Sequence, residues 1–171
     1  IRAAVSVELG DGILQNPERA YKALYTVIDE CIKRDCYVVV DWHCHNIRLN
    51  EAKQFFTRVA TDYGDKANII YEIFNEPEYQ SWAEVKAYSE EVIETIRAID
   101  PDNLIIVGCP HWDQDVDIVA DDPIKGFDNL VYSFHFYAAT HQQANMDRCD
   151  YALAKGLPLI ISECGGMDHL G

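Results

Sequence analysis

Six short apolar, β-branched runs punctuate the chain, at 1–7, 37–42 (YVVVDW), 69–74 (IIYEIF), 104–108 (LIIVG), 130–136 (LVYSFHF) and 158–162 (PLIIS). Each is nearly continuous rather than alternating, the pattern of a strand covered on both faces, as in a parallel sheet wrapped by helices. Between the runs, apolar positions recur at helical spacing. Tyr21, Leu24, Tyr25, Ile28, Cys31 and Ile32 form a stripe behind Asn16-Pro17, an N-cap residue followed by proline at the first helical position. Ala52, Phe55, Phe56, Val59 and Tyr63 form a second stripe, stopped at Gly64. Ser81 and Glu84 have the spacing of a capping box ahead of Val85, Tyr88, Val92, Ile96 and Ile99. A shorter helix is predicted after Asp113, and another over about 142–155, ended by Gly156.

Strands alternating with helices read as consecutive βα units, an order shared by doubly wound sheets and (β/α)₈ barrels. The polar residues favour the barrel, in which the C-terminal tips of all the strands ring one mouth. Almost every run here ends in reactive side chains: Asp41-Trp42-His43, Asn75-Glu76, His135-Phe136-Tyr137 and Glu163. A doubly wound sheet would more often carry a glycine-rich phosphate turn after its first strand, and the SVELGDG stretch lacks the G-x-G-x-x-G spacing. A complete TIM barrel takes about 250 residues. The expectation for 171 residues is therefore one domain over 1–171, a partial barrel of about six βα units without its first and last strands. The alternative is a naturally short form that hides its open sheet edges in an oligomer.

Composition narrows the partners. Hydrophobic residues at 49% and charged residues at 25% suit a soluble globular chain, and no run approaches the roughly 18 apolar residues that span a bilayer. A net charge of −15 repels phosphate backbones and anionic membranes, which argues against nucleic acid and membrane partners, whereas a neutral polymer is not repelled. Six cysteines occur without a C-x-x-C pair, which leaves zinc-ribbon and thioredoxin-like readings without footing. Disulfides and free buried thiols both stay open.

Glu76, in IYEIFNEP, and Glu163, in LIISECGG, each stand at a strand tip. Hydrolysis of a glycosidic bond needs one carboxyl to protonate the leaving oxygen and another to attack or to activate water. The plainer reading of either is a solvated loop carboxylate. His135 and Tyr137, two apart, project to one side of an extended segment. There an imidazole can orient a carboxyl and a phenol can hydrogen-bond to one, or both are packed structural residues. His43 and His45 form an H-x-H that would need His111, His135 or His141 to complete a metal site. Imidazoles binding sugar hydroxyls explain the same positions, so neither a metal nor a cofactor is assigned. Trp112, in GCPHWDQD, is a candidate platform for a pyranose ring, while Trp42 and Trp82 read as core. Glu72 shares the parity of Glu76 and reads as a buried, hydrogen-bonded interior residue, with a reserve catalytic role.

At these motifs the sequence resembles glycoside hydrolase family 5, most closely its bacterial-type endoglucanases. IRAAVSVE, YVVVDWHCH, IIYEIFNEP, LIIVGCPHWDQDVD, LVYSFHFYAATH and PLIISECG follow the family's order and span the chain. The resemblance implies a retaining endo-β-1,4-glucanase, a secreted cellulase acting on β-glucan, with Glu76 as acid/base and Glu163 as nucleophile. It casts Arg2 as the arginine that keeps the nucleophile ionised. His43 and Asn75 fall on positions that bind the sugar beside the scissile bond, Asn75 at its 2-hydroxyl. His135 matches the acid/base partner, Tyr137 the nucleophile's hydrogen-bond donor, and Trp112 a substrate-contacting tryptophan. A mannanase or xylanase on the same scaffold and a non-catalytic carbohydrate-binding fragment are the competing readings. Cys164 stands where the family usually has an aromatic, and Pro110-His111 replace smaller residues before Trp112. In the family the last barrel strand adds a tryptophan beneath the catalytic subsite.

Overall fold

The computed structural model describes residues 1–168. Its strands are β1 (Arg2–Ser6), β2 (Val38–His43), β3 (Ile69–Glu72), β4 (Ile105–Val107), β5 (Leu130–Ser133), β6 (Phe136–Tyr137), β7 (Leu159–Ile160) and β8 (Cys164–Gly165). The helices are α1 (Pro17–Lys33), α2 (Leu49–Tyr63), α3 (Trp82–Arg97), α4 (Pro110–Asp113), α5 (Val116–Asp121) and α6 (Gln143–Ala154). Six strands form one parallel sheet in the order β1-β2-β3-β4-β5-β7, and β6 pairs with β8 in a separate two-stranded sheet. Every pairing is parallel, which requires the helical crossovers that the alternating sequence pattern predicts.

The sheet curls. Six strands at about 4.8 Å spacing would hold flat edges roughly 24 Å apart. Instead, Arg2 on the edge strand β1 reaches Glu163, just beyond the opposite edge strand β7, at 2.8 Å. Side chains alternate along the strands, so one set meets helices and the other meets the concave face. Outward, Val38, Val40 and Trp42 of β2 and Ile69 and Tyr71 of β3 are buried in one core with Phe55, Phe56 and Val59 of α2 and Val85, Val92 and Ile96 of α3. Tyr71 spends its hydroxyl on Asp100 (2.7 Å), and Tyr88 donates to the Ile73 carbonyl (2.8 Å). Inward, Asp41 and Glu72 are wholly buried. The fold is that of a (β/α)₈ barrel, present here as its six-stranded part.

Local signals match with some corrections. The capping box forms: Glu84 N–H donates to Ser81 Oγ and Ser81 N–H donates to Glu84 Oε2. Gly156 takes the left-handed φ of +83° expected after a helix. Gly64 does not; its φ is −63°, and glycine is required because a Cβ would lie 2.5 Å from the Ala60 carbonyl oxygen. The Asn16 side chain makes no capping bond, and its carbonyl instead accepts from Ala20 N–H. Ile99 falls beyond α3 and is exposed. The run at 130–136 is not one strand: the main ladder ends at Ser133, and Phe136 and Tyr137 turn to pair with Cys164 and Gly165. The helix expected after Asp113 begins at Val116, behind the separate turn α4. All six cysteines are free, which settles the open pairing question, and no described helix is long and apolar enough to cross a membrane.

Gly108 shows how tightly the fold holds the strand tips. A Cβ there would meet the Phe74 carbonyl oxygen at 2.5 Å and Pro77 Cδ at 3.1 Å, the backbone that carries Asn75 and Glu76. Gly108→Ala is expected to lower stability by about 1–3 kcal/mol in denaturant unfolding. Gly10→Ala, whose Cβ meets nothing within 4 Å, is the control and should leave the midpoint in place.

Candidate active site

The strand tips converge on a cavity of about 610 Å³ whose walls include Glu76, Glu163, His111, Trp112, Tyr137 and His141. Asn75 and Glu76 leave β3 tethered to the end of β2, through Asn75 N–H to the Trp42 carbonyl and Glu76 N–H to the Cys44 carbonyl. Trp112 is tied to the same segment, its N–H donating to the Pro77 carbonyl at 2.9 Å. Glu163 sits just before β8, and the β6–β8 pairing sets Tyr137 opposite Gly165. Glycine is needed there, because a Cβ would lie 2.7 Å from the Tyr137 ring.

Arg2 organises one half of the site. Its Nε donates to Glu72 Oε2 (2.6 Å), one terminal nitrogen to Glu163 Oε2 (2.8 Å), and the other to Asn75 Oδ1 (2.6 Å), with Asp41 Oδ2 at 3.0 Å. Tyr137 donates its hydroxyl to the second oxygen of Glu163, Oε1, at 2.5 Å. His135 organises the other half, with Nδ1 3.0 Å from Glu76 Oε1 and Nε2 2.8 Å from Ser162 Oγ, while Ser162 Oγ–H donates to Glu72 Oε1 at 2.5 Å. One oxygen each of Glu76 and Glu163 and a ring nitrogen of His135 all lie within 4.8 Å of one another. Arg2, Asn75, Glu76, His135, Tyr137 and Glu163 are thus brought together by these bonds and distances, and Trp112 lines the same cavity. His43 is one step removed, bonded through Nδ1 to Asp41 Oδ2 (2.7 Å). Glu72, wholly buried on Arg2 and Ser162, is an interior support and has no access to the cavity.

The H-x-H pair divides: His43 turns to Asp41, and His45 points Nδ1 towards Glu76 Oε2 at 3.8 Å, so the two rings do not converge on one point. Sequence reasoning missed Asp41, Asp113 and Ser162 as parts of the site. Asp41 was findable, since it shares the inward parity of His43. Ser162 and Asp113 carried no signal of their own. Both gain their roles from contacts between distant segments, Ser162 with Glu72 and Asp113 with His135.

The charges oppose burial. Burial pushes the Glu163 carboxyl up, but the Tyr137 hydroxyl, His135, Arg2 and His43 together hold it below its ordinary value. Burial disfavours charge on His135 too, yet Asp113, Glu76 and Glu72 push it up to about 9. The Asp41 hydrogen bond raises His43 against burial and Arg2. Tyr137 is pushed up to about 12, chiefly by its bond to Glu163.

The folded chain thus keeps the His135 proton up to about 9, whereas an unfolded chain releases it near 6.5. Between those values the native state binds a proton that the unfolded state lacks. The stabilisation is complete below about pH 6.5 and is lost as pH rises through about 9. Stability in denaturant titrations is therefore expected to fall over this window, by at most about 3 kcal/mol. His135→Gln should flatten most of the slope.

Comparison with known proteins agrees with this geometry. Endoglucanase Z of Dickeya dadantii is 45% identical over 174 aligned positions, which take in 100% of this chain and 41% of that protein. The catalytic domain of Thermobifida fusca endoglucanase Cel5A superposes with a TM-score of 0.93 at 36% identity, over 100% of this chain and 59% of the other. A variant of that domain, in complex with cellotetraose, gives 0.92 at 34% identity with the same coverage. The chain thus spans less than two thirds of the length of the relatives it matches. The model of the cellulase family, glycosyl hydrolase family 5, matches residues 1–171, and with the curled sheet and its paired carboxylates this places the chain in that family of glycoside hydrolases.

Proposed function

We propose that this chain carries the catalytic pair of a retaining endo-β-1,4-glucanase. The observation that carries the reading is the proximity of Glu76 and Glu163, with facing oxygens within 4.8 Å and different supports behind each. Retaining glycosidases hold their carboxyl groups about 5–5.5 Å apart, whereas inverting enzymes leave about 6.5–9.5 Å for a water. Glu163, kept anionic by Tyr137, His135 and Arg2, attacks the anomeric carbon. As that bond forms, the glycosidic C–O bond breaks and Glu76 delivers its proton to the leaving oxygen. Glu76 then removes a proton from water, the hydroxide adds to the anomeric carbon, and the bond to Glu163 breaks with its electron pair returning to the carboxylate.

The remaining residues serve the sugar. Asn75 gives its oxygen to Arg2 and keeps an unpartnered buried amide nitrogen, a donor for a hydroxyl such as the 2-hydroxyl. His43, anchored on Asp41, offers its other ring nitrogen to the same sugar. Trp112 forms a cavity wall suited to the apolar face of a pyranose. A β-1,4-glucan is the favoured substrate because the cellotetraose-bound relative matches this chain along its whole length. A polymer of that kind is met outside the cell, so we assign the chain to the secreted space.

Incubated with a soluble β-1,4-glucan, the chain is expected to release reducing ends, with the β-anomer appearing first in proton NMR. Glu76→Gln should slow the reaction about 10²–10⁴-fold. Glu163→Gln should abolish it. Turnover of mannan or xylan with none of glucan would move the assignment to those backbones. Oligosaccharide binding that survives both substitutions, with no hydrolysis by the parent, would make this a binding module instead.

A further inference from the structure

The reaction above uses only one side of the His135 ring. The residue is 1% exposed and faces charged groups from every element packed on it. Glu72 of β3 lies 3.9 Å from Nε2, Asp113 of α4 lies 3.4 Å from Nε2, and Glu76, beyond β3, lies 3.0 Å from Nδ1. Glu163, before β8, lies within 4.8 Å. Arg2 stands behind Glu72 and Glu163, Tyr137 bonds Glu163, and His45 approaches the far oxygen of Glu76.

The direction of the hydrogen bonds places one proton. Burial and Asp41 push the Glu72 carboxyl up, and Arg2 and Ser162 act against them. Paired with the Arg2 guanidinium at 2.6 Å it is an acceptor, so the single Ser162 O–H is committed to it. The Ser162 oxygen can then meet Nε2 only as an acceptor, and Nε2 carries a hydrogen. What remains is whether Nδ1 carries one as well. Asp113 bears on that question. Its carboxylate is wholly buried; Oδ1 accepts the Cys109 N–H at 2.5 Å, and Oδ2 has no hydrogen-bond partner among the described residues. Burial pushes this carboxyl well above its ordinary value, while His135, the Cys109 N–H and the Ser133 side chain act to keep it ionised. A buried carboxylate oxygen in that state is costly unless a positive charge lies beside it. His135 is the cation-forming group at ion-pair distance. The backbone that delivers Asp113 passes through three consecutive left-handed residues, His111 (φ 58°), Trp112 (φ 55°) and Asp113 (φ 58°), none of them glycine. That conformation is unfavourable for residues with a Cβ, and it is maintained here where it seats a carboxylate against an imidazole.

We propose that Asp113 is a positioning residue: its buried charge keeps His135 doubly protonated through neutral pH, making Nδ1–H a standing donor to Glu76 Oε1. One oxygen of Glu76 is thereby engaged, and the other is the one left to serve the cavity. Where the His135 protons sit does not depend on which polysaccharide, if any, the chain cuts.

The test is a titration of the His135 imidazole by ¹⁵N and ¹³C NMR in the 171-residue chain. The parent is expected to show both ring nitrogens protonated at neutral pH, with a midpoint near 9. Asp113→Asn keeps the shape and the Cys109 bond but removes the charge. It should lower the midpoint by at least about one pH unit, a tenfold loss of proton affinity. Asp113→Ser serves the same purpose should the asparagine variant fail to fold. A parent midpoint at or below about 6.5, the ordinary histidine value, would overturn the proposal. So would an unchanged midpoint in either folded variant.

Discussion

One half-buried guanidinium ties the two edges of this structure together. Arg2 lies on the first strand, yet its donors end on Glu72 and Asn75, from β3 and its tip, and on Glu163, beyond the last strand of the main sheet. A single ion-pair cluster thereby joins the two edges of the sheet across its concave face. Burial alone would disfavour a charge there, but Asp41, Glu72 and Glu163 more than offset it and keep the side chain cationic. Arginine suits the position better than lysine, because its planar fork can point separate donors at several acceptors at once. The same cation supports the nucleophile candidate, fixes the amide orientation of Asn75 and closes the curvature. Fold and site share one electrostatic centre.

Around that centre the outer core is conventional and the inner face is not. Trp42, Phe55, Phe56 and Tyr71 fill the space between sheet and helices with contacts in T-shaped or tilted geometry. The concave face instead carries acids, imidazoles and hydroxyls joined in chains, such as Glu76–His135–Ser162–Glu72–Arg2–Glu163–Tyr137. Such a network is stable only when its members are satisfied, and here most of them are. The side chains in it are consequently held in place by one another, which is the condition for positioning groups to within a fraction of an ångström.

Much of this was legible in the sequence because strand periodicity and tip chemistry are local. The apolar runs located the strands of the main sheet, and the reactive residues at their ends located Glu76, His135, Tyr137 and Glu163. What the sequence could not display was the second layer. Asp113 looked like a residue ahead of a helix, and only the left-handed turn swings its carboxylate inward. Ser162 looked like the end of a strand, and its role depends on a partner 90 residues away. The break at Ser133 was hidden for the same reason: Phe136 and Tyr137 are apolar enough to continue a strand, but β8 captures them. Local patterns report what a residue prefers. They are silent about which distant neighbour completes it.

The inner face also carries an imbalance. Asp41, Glu72, Glu76, Asp113 and Glu163 outnumber the basic groups among them, Arg2, His43, His45 and His135. Positive charge gathering on a sugar ring as its exocyclic bond stretches, the oxocarbenium character of glycosyl transfer, would meet a field already oriented to receive it. The acids that make up the surplus stand around the Glu76–Glu163 pair.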